Sequence, residues 1–532
     1  MSGEIRIRLV TGRNLAWLLL IIAVVAGLSL VSIHLPLGRD EGVAAYFGWQ
    51  ILNGKAVYRD LYHFNFPGIF WTYALALKLF GLRPEAVNLF DMLFRLFTLA
   101  GVFLAAGRLF GPRSAAWAAG IYGIFSTVVY NSYWLSAQKE TFALGALAWC
   151  LFFVAQAVGR SRLGKGWLLL AGVFAFLAVL YKPTVGLGPG LVFLLLLFFK
   201  EIPLRERVLG LAGFLVGAIL VAGAAALYLA ATGSLVEMAR QVFIFGVNYG
   251  GQFYGGGFKA LGLAFWKILV WAIDFGFLLG AGCLGGIAAW QKRQPGFKLL
   301  FWFGLGLFLN ILVQFKFFDY HFMVMMLPLS ILAGAFFGDY LGDFYSGRSG
   351  KAKAGLLVLA ALLLAANLKD GLGRYPREIL YDLGLVSREN FLSKYGRYGF
   401  GDLSVEASTK VARYLREQTS PSDKVLVFSL EPGLNFMSRR QAPTRFCYDL
   451  PLTCQYGGPR FKNYQEKLRK EFLASLSQEP PVYIAVVEKD TSSIEPRDSF
   501  AQMLDFIAFR NFIEQNYYLE TKIEHYYLYR RK

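Results

Sequence analysis

The stretch "PGIFWTYALALKLFG", residues 67–81, decides how the rest of this chain is threaded. It is apolar enough to enter a bilayer, yet it falls short of the roughly 20 residues a spanning helix needs, and it carries Lys78. If it crossed, every later basic cluster would lie opposite the basic N-terminus. If it does not cross, Arg6/Arg8/Arg13, Arg108/Arg113, Arg160/Arg162/Lys165, Lys200/Arg205/Arg207, Lys292/Arg293/Lys298 and Arg348/Lys351/Lys353 share one side. The positive-inside bias selects the second arrangement. Residues 34–87 are then one long extracytoplasmic loop whose two helices, within 40–82, lie along or dip into the interface.

Working outward, the chain has 532 residues, 56% of them hydrophobic, far more apolar surface than one water-soluble core hides. Apolar runs at 14–33, 88–107, 115–131, 141–158, 166–181, 184–199, 208–230, 261–290, 298–315, 321–341 and 354–368 predict a polytopic α-helical membrane protein of about 11 spans. The first run is longer than a signal-peptide core and has no small-residue cleavage site before Arg39-Asp40-Glu41, so it reads as a retained span. An odd number of crossings places the C-terminal tail outside, in the same compartment as Asp40.

That tail changes character. "SVEASTKVARYLREQT", "NYQEKLRKEFLASLS" and "DFIAFRNFIEQNY" have helical periodicity, whereas "DKVLVFS", "PVYIAVVE" and "YYLETKIEHYYLYRR" read as strands. The expected organisation is a membrane module over 1–368, an interfacial linker over 369–399 and a small extracytoplasmic α/β domain over 400–532.

The net charge of +19 does not point to nucleic acid, because the tail from Gly401 is nearly balanced at 19 Lys+Arg against 17 Asp+Glu. The excess lies in the short loops between spans, where topology accounts for it. Cys150 and Cys283 fall inside apolar runs, while Cys447 and Cys454 in "CYDLPLTC" would close a small loop if bridged in an oxidising compartment. The glycine-rich segment 245–258 lacks the flanking strand and Lys-Ser/Thr of a phosphate loop and reads as a mobile lid.

Ionisable groups at a membrane boundary are costly to desolvate and are functional candidates for that reason. Asp40 and Glu41 stand first, with the ordinary alternative that they are acids in a helix's first turn, favoured by its dipole. His63 and Asn65 share their loop. "SAQKE" adds Lys139 and Glu140, "LYKPT" adds Lys182, and "QFKFFDYHF" adds Lys316 and His321, all on the outer side of the same topology.

The order of a first span, an Asp-Glu pair at its outer end, "AYFGWQILNGKAVYRDLYHFNFPG", an apolar helix ending "KLFG" and a span holding Arg95 and ending "GRLFGPRSAAWAAGIYG" resembles the GT-C superfamily of membrane glycosyltransferases. Within it, the likeness is to the bacterial branch related to protein O-mannosyltransferases and the lipid A aminoarabinose transferase. The resemblance implies a polyprenyl-phosphate-linked sugar as donor, chemistry at the extracytoplasmic face of a bacterial inner membrane, and a glycolipid, polysaccharide or protein as acceptor. It implies Asp40 as the catalytic acid of the first loop with Glu41 beside it, and Glu140 as the acid of the second. A divalent metal, if used, would fall to Asp40 and Glu140.

The expected reaction is inverting. Asp40 takes the proton of an acceptor hydroxyl, the anomeric carbon passes through an oxocarbenium-like state, and polyprenyl phosphate leaves against a cation drawn from Lys139, Lys182, Lys316 and Arg95. A lipid-linked sugar flippase and a polysaccharide polymerase or ligase are the competing readings; the acids gathered at one water boundary favour the transferase.

Overall fold

The computed structural model describes residues 12–158, 163–250, 257–345, 351–396, 404–455, 458–491 and 495–532. Arg6, Arg8, Arg160, Arg162 and Arg348 of the basic clusters lie outside these residues. So do 251–256 at the centre of the expected lid and 397–399 at the end of the expected linker. The chain packs as two units. One comprises 1–33, 88–225 and 261–376, and the other 34–87, 226–260 and 377–532.

The first unit is built of helices. Across the described residues of the whole chain, six helices are long and apolar enough to cross a membrane, or seven if a bent pair counts as one span. Leu15–Val31, Lys165–Tyr181 and Pro183–Leu197 are apolar but shorter. The structure therefore supports a polytopic helical protein with fewer full-length spans than the 11 expected. Lys139–Ala157 and Asp319–Asp339 are interior helices, with 89% and 94% of their apolar windows buried, whereas the window of Leu204–Ala231 is only 22% buried and leaves Ile219 and Leu227 exposed. Apolar lipid tails give no hydrophobic drive between helices, so close backbone approach must supply the packing. Gly172 and Gly217 provide it: a Cβ at Gly172 would collide with the Phe214 carbonyl, and one at Gly217 with the Leu169 carbonyl.

The run expected as one span over 261–290 is instead two helices, Gly257–Asp274 and Gly276–Gln291, bent by 84° at Phe275. Phe275 is buried against Trp271 (5.0 Å between rings) and Tyr130 (4.8 Å). A break inside an apolar environment frees backbone groups that must find partners. Asn367 supplies them, accepting from the Phe277 N–H at 3.0 Å and donating to the Ile273 carbonyl at 3.4 Å. Hydropathy averages over such a break and cannot see it.

The second unit packs His34–Val87, the segment expected as the first outer loop, with Ala226–Ala260 and Arg377–Lys532. The two expected loop helices are Arg39–Leu52 and Gly68–Phe80. The latter has 13 residues, a length of about 20 Å, too short to traverse a hydrocarbon core of about 30 Å. The helices pack with Phe47 stacked on Phe70 at 4.6 Å, and Gly48 lies so close to Ala74 that a Cβ there would sit 2.8 Å from its backbone nitrogen. The C-terminal domain carries a mixed sheet of β1 (Val425–Phe428), β2 (Tyr483–Val487), β3 (Tyr517–Ile523) and β4 (Tyr526–Arg531), in the order β1-β2-β4-β3. β1 and β2 are parallel, which requires a crossover, and Pro459–Gln478 lies in that connection; the remaining pairs are antiparallel. β1 and β2 are buried throughout, and Val405–Glu417 places Ala407, Val411 and Leu415 in the same core. No disulfide joins Cys447 to Cys454, both of which are buried.

Candidate active site

Asp40 and Glu41 occupy the first turn of Arg39–Leu52, but their environments differ. Asp40 is exposed, and Glu41 is buried with 3% of its surface accessible. Of the two, only Asp40 has a carboxylate that an incoming hydroxyl can reach without unpacking the helix. The preceding Arg39 donates to the backbone carbonyl of Asp490 at 3.2 Å, so this turn is tied to the C-terminal domain.

His63 is held on three sides. Its N–H donates to Gln241 Oε1 at 3.0 Å, and Gln241 in turn donates to the Tyr58 carbonyl at 2.7 Å, so one buried amide fixes both ends of the 58–63 turn. The Asn65 N–H donates to His63 Nδ1 at 3.0 Å, which makes Nδ1 an acceptor and places the proton of the neutral ring on Nε2. The ring sits among Phe47 (5.5 Å), Phe64 (5.0 Å), Phe70 (5.0 Å) and Tyr448 (5.3 Å). Asn65 serves this turn also through its backbone carbonyl, which accepts from the Tyr58 hydroxyl at 2.7 Å.

In the other unit, Lys139, Glu140, Lys182, Lys316 and His321 come together. Lys182 Nζ lies 2.5 Å from Glu140 Oε1, and the buried His321 ring is within electrostatic reach of Lys182, Lys139 and Lys316. Lys182 is thus paired with Glu140, and Lys139 and Lys316 bring further ammonium groups within reach of the same ring. Arg95 belongs to a different network. Its Nε donates to Asp91 at 2.7 Å, Nη2 to Asn131 at 3.1 Å and Nη1 to the Ser126 carbonyl, while Ser136 donates to the same Asn131 oxygen at 2.6 Å. Asp91, Arg95, Asn131 and Ser136 border a small polar cavity with Ser29, Ser32 and Asn88.

Among the described residues, no group of three or more His, Cys, Asp or Glu side chains is placed to hold a metal ion. Asp91 was legible as an intramembrane acid four residues before Arg95, a spacing that pairs them on one helix face. Gln241 and Tyr448 carried no local signal, since each meets the first loop from a distant part of the sequence.

The family model described as dolichyl-phosphate-mannose-protein mannosyltransferase matches residues 65–228. No curated protein matches the chain. The crystal structure of ArnT from Cupriavidus metallidurans in the apo state superposes with a TM-score of 0.58 at 16% identity, covering 97% of this chain and 97% of that one. The chain shares the fold of that protein. The same Cupriavidus protein bound to undecaprenyl phosphate gives 0.57 at 16% identity over 97% of this chain and 98% of that one. A mutant of the mycobacterial arabinofuranosyltransferase AftD gives 0.52 at 16% identity over 97% of this chain and 41% of that one. The GT-C resemblance thus extends through the C-terminal domain, where the family model has no match.

Proposed function

We propose that this protein is a membrane glycosyltransferase that moves a sugar from a polyprenyl-phosphate-linked donor to a hydroxyl of an extracytoplasmic acceptor. The observation that carries the reading is the exposed carboxylate of Asp40 at the start of the first-loop helix, in a chain whose GT-C fold extends over 97% of its length. An acceptor hydroxyl becomes nucleophilic as its proton passes to Asp40. The new bond forms at the anomeric carbon as the bond to the phosphate oxygen breaks on the opposite face, giving inversion and releasing polyprenyl phosphate. Phosphate leaves without a proton donor when cations stabilise it, and the ammonium groups of Lys139, Lys182 and Lys316 are the cations assigned that task in this reading. His63 and Asn65 order the loop that carries the base. Extracytoplasmic chemistry, about 11 crossings and a bacterial inner membrane belong to this reading.

The helix pair bent by 84° favours a second reading, a lipid-linked sugar flippase, because broken helices are a feature of transporters. Transfer by purified protein in nanodiscs decides between them, using labelled polyprenyl-phosphate sugars with membrane extract as acceptor. A transferase gives labelled product that is lost in Asp40→Asn; a flippase gives translocation and no product.

A further inference from the structure

The segment 442–449 of the C-terminal domain runs along the first outer loop, contact by contact. The Ala442 N–H donates to the Tyr46 hydroxyl at 3.0 Å, and the Arg445 carbonyl accepts from the Tyr62 N–H at 2.9 Å. Arg445 also reaches the Tyr58 carbonyl at 3.3 Å while paired with Glu237 and Glu471, and Phe446 packs on Tyr62 at 5.3 Å. Tyr448 follows against His63, and the Asp449 N–H then returns to the Ser429 carbonyl after β1. This register places one tyrosine of the tail domain beside the histidine of the candidate site.

Tyr448 is 5% exposed, and its hydroxyl has no hydrogen-bond partner among the described residues. Packing against His63 asks only for a ring, which phenylalanine would supply without placing an unsatisfied polar atom in the interior. The hydroxyl also lies within electrostatic reach of the Asp40 carboxylate. Burial, with the charges of Asp40 and Asp449 nearby, keeps the phenol protonated well above its ordinary range, so it is a standing O–H donor.

We infer that Tyr448 is a substrate-positioning residue, contributed by the C-terminal domain, whose hydroxyl donates to an oxygen of the sugar carried by the lipid-linked donor at the Asp40 site. The inference rests on the glycosyl-transfer reading and gives the C-terminal domain a part in the site.

The test uses the full chain in nanodiscs. Tyr448→Phe keeps the ring on His63 and removes only the hydroxyl. The expected result is a loss of tenfold or more in kcat/KM with the melting temperature unchanged. A rate within twofold of wild type overturns the inference, and so does a loss that merely tracks a lowered melting temperature. Wild-type protein inactive with every donor would defeat the transfer reading, and a second measurement then decides the inference separately. With 3-fluorotyrosine at 448, the 19F resonance should move on adding polyprenyl-phosphate mannose and stay in place with polyprenyl phosphate alone. A resonance that ignores the sugar assigns the hydroxyl to water and overturns the proposal.

Discussion

Lys182 and Glu140 form an ion pair of 2.5 Å in which the side chains are only 8% and 0% exposed. Removing one partner of a buried pair leaves an uncompensated charge and costs roughly 3–5 kcal/mol, whereas removing both often restores stability. Lys182→Met should therefore lower the melting temperature in nanodiscs, and Lys182→Met with Glu140→Gln should recover most of it. If Lys182 also helps to hold a phosphate, the double variant will be folded and still slow, with its deficit in KM for the lipid-linked donor.

The unlike exposure of Asp40 and Glu41 separates two roles that adjacent acids in a sequence cannot reveal. Asp40→Asn is expected to leave the melting temperature within about 1 °C and to reduce transfer by about 100-fold or more, the scale of a lost general base. Glu41→Gln alters a buried group, so its first effect should be on stability, with transfer per folded molecule reduced far less. A Glu41→Gln loss that matches Asp40→Asn at full stability would move the base to Glu41.

Gln241 joins the Tyr58 carbonyl to the His63 N–H in a buried position, and an alanine there strands the His63 N–H and leaves the Tyr58 carbonyl with Arg445 as its remaining donor. A stranded backbone group costs about 1–3 kcal/mol, so Gln241→Ala should destabilise the second unit. Because the same turn orients His63, hydrogen exchange at residues 58–65 should accelerate in the variant more than exchange in the sheet.

Much of the architecture follows from periodicity. The first-loop helices were placed by a charge argument on residues 67–81, and the four strands by runs such as "VYIAVV", because local pattern and tertiary burial agree there. The break at Phe275 escapes a hydropathy average because the residues around it are apolar, although Asp274 and Gly276 in "WAIDFGFLLG" flank it and are its local signal. The side chain that satisfies the break, Asn367, lies about 90 residues away. The candidate site divides similarly. Asp40, His63, Glu140, Lys182 and Lys316 were visible as polar residues in apolar surroundings, yet the groups that hold His63, Gln241 and Tyr448, are placed by tertiary structure and look ordinary in sequence.

The C-terminal domain contains a second group of acids, Asp449, Asp490 and Glu495, with 1%, 1% and 2% of their surfaces accessible. Ser499 donates to Asp490 through both its N–H and its hydroxyl, and Gln502 donates to Glu495 at 3.0 Å. Burial raises all three carboxyls above their ordinary range, and the neighbouring acids reinforce this for Asp449 and Glu495, carrying Glu495 from 4.5 to about 8. A carboxyl with a raised folded-state pKa binds protons more tightly in the native than in the unfolded chain, so stability falls as pH rises between the two values. For Glu495 that contribution is fully present below about pH 4.5 and is lost as pH climbs through 8. Raising the pH from 6 to 8.5 should therefore lower the melting temperature of the C-terminal domain. Glu495→Gln, which keeps an acceptor for Gln502 and carries no charge, should flatten that slope and melt a few degrees higher than wild type at pH 8.5, with little difference at pH 5. A wild-type domain whose stability rises over the same interval would show that these acids are ionised and otherwise compensated. Because Arg39 donates to the Asp490 carbonyl one residue before Asp40, transfer measured over the same range should decline in parallel with the loss of stability and be rescued at pH 8.5 by Glu495→Gln.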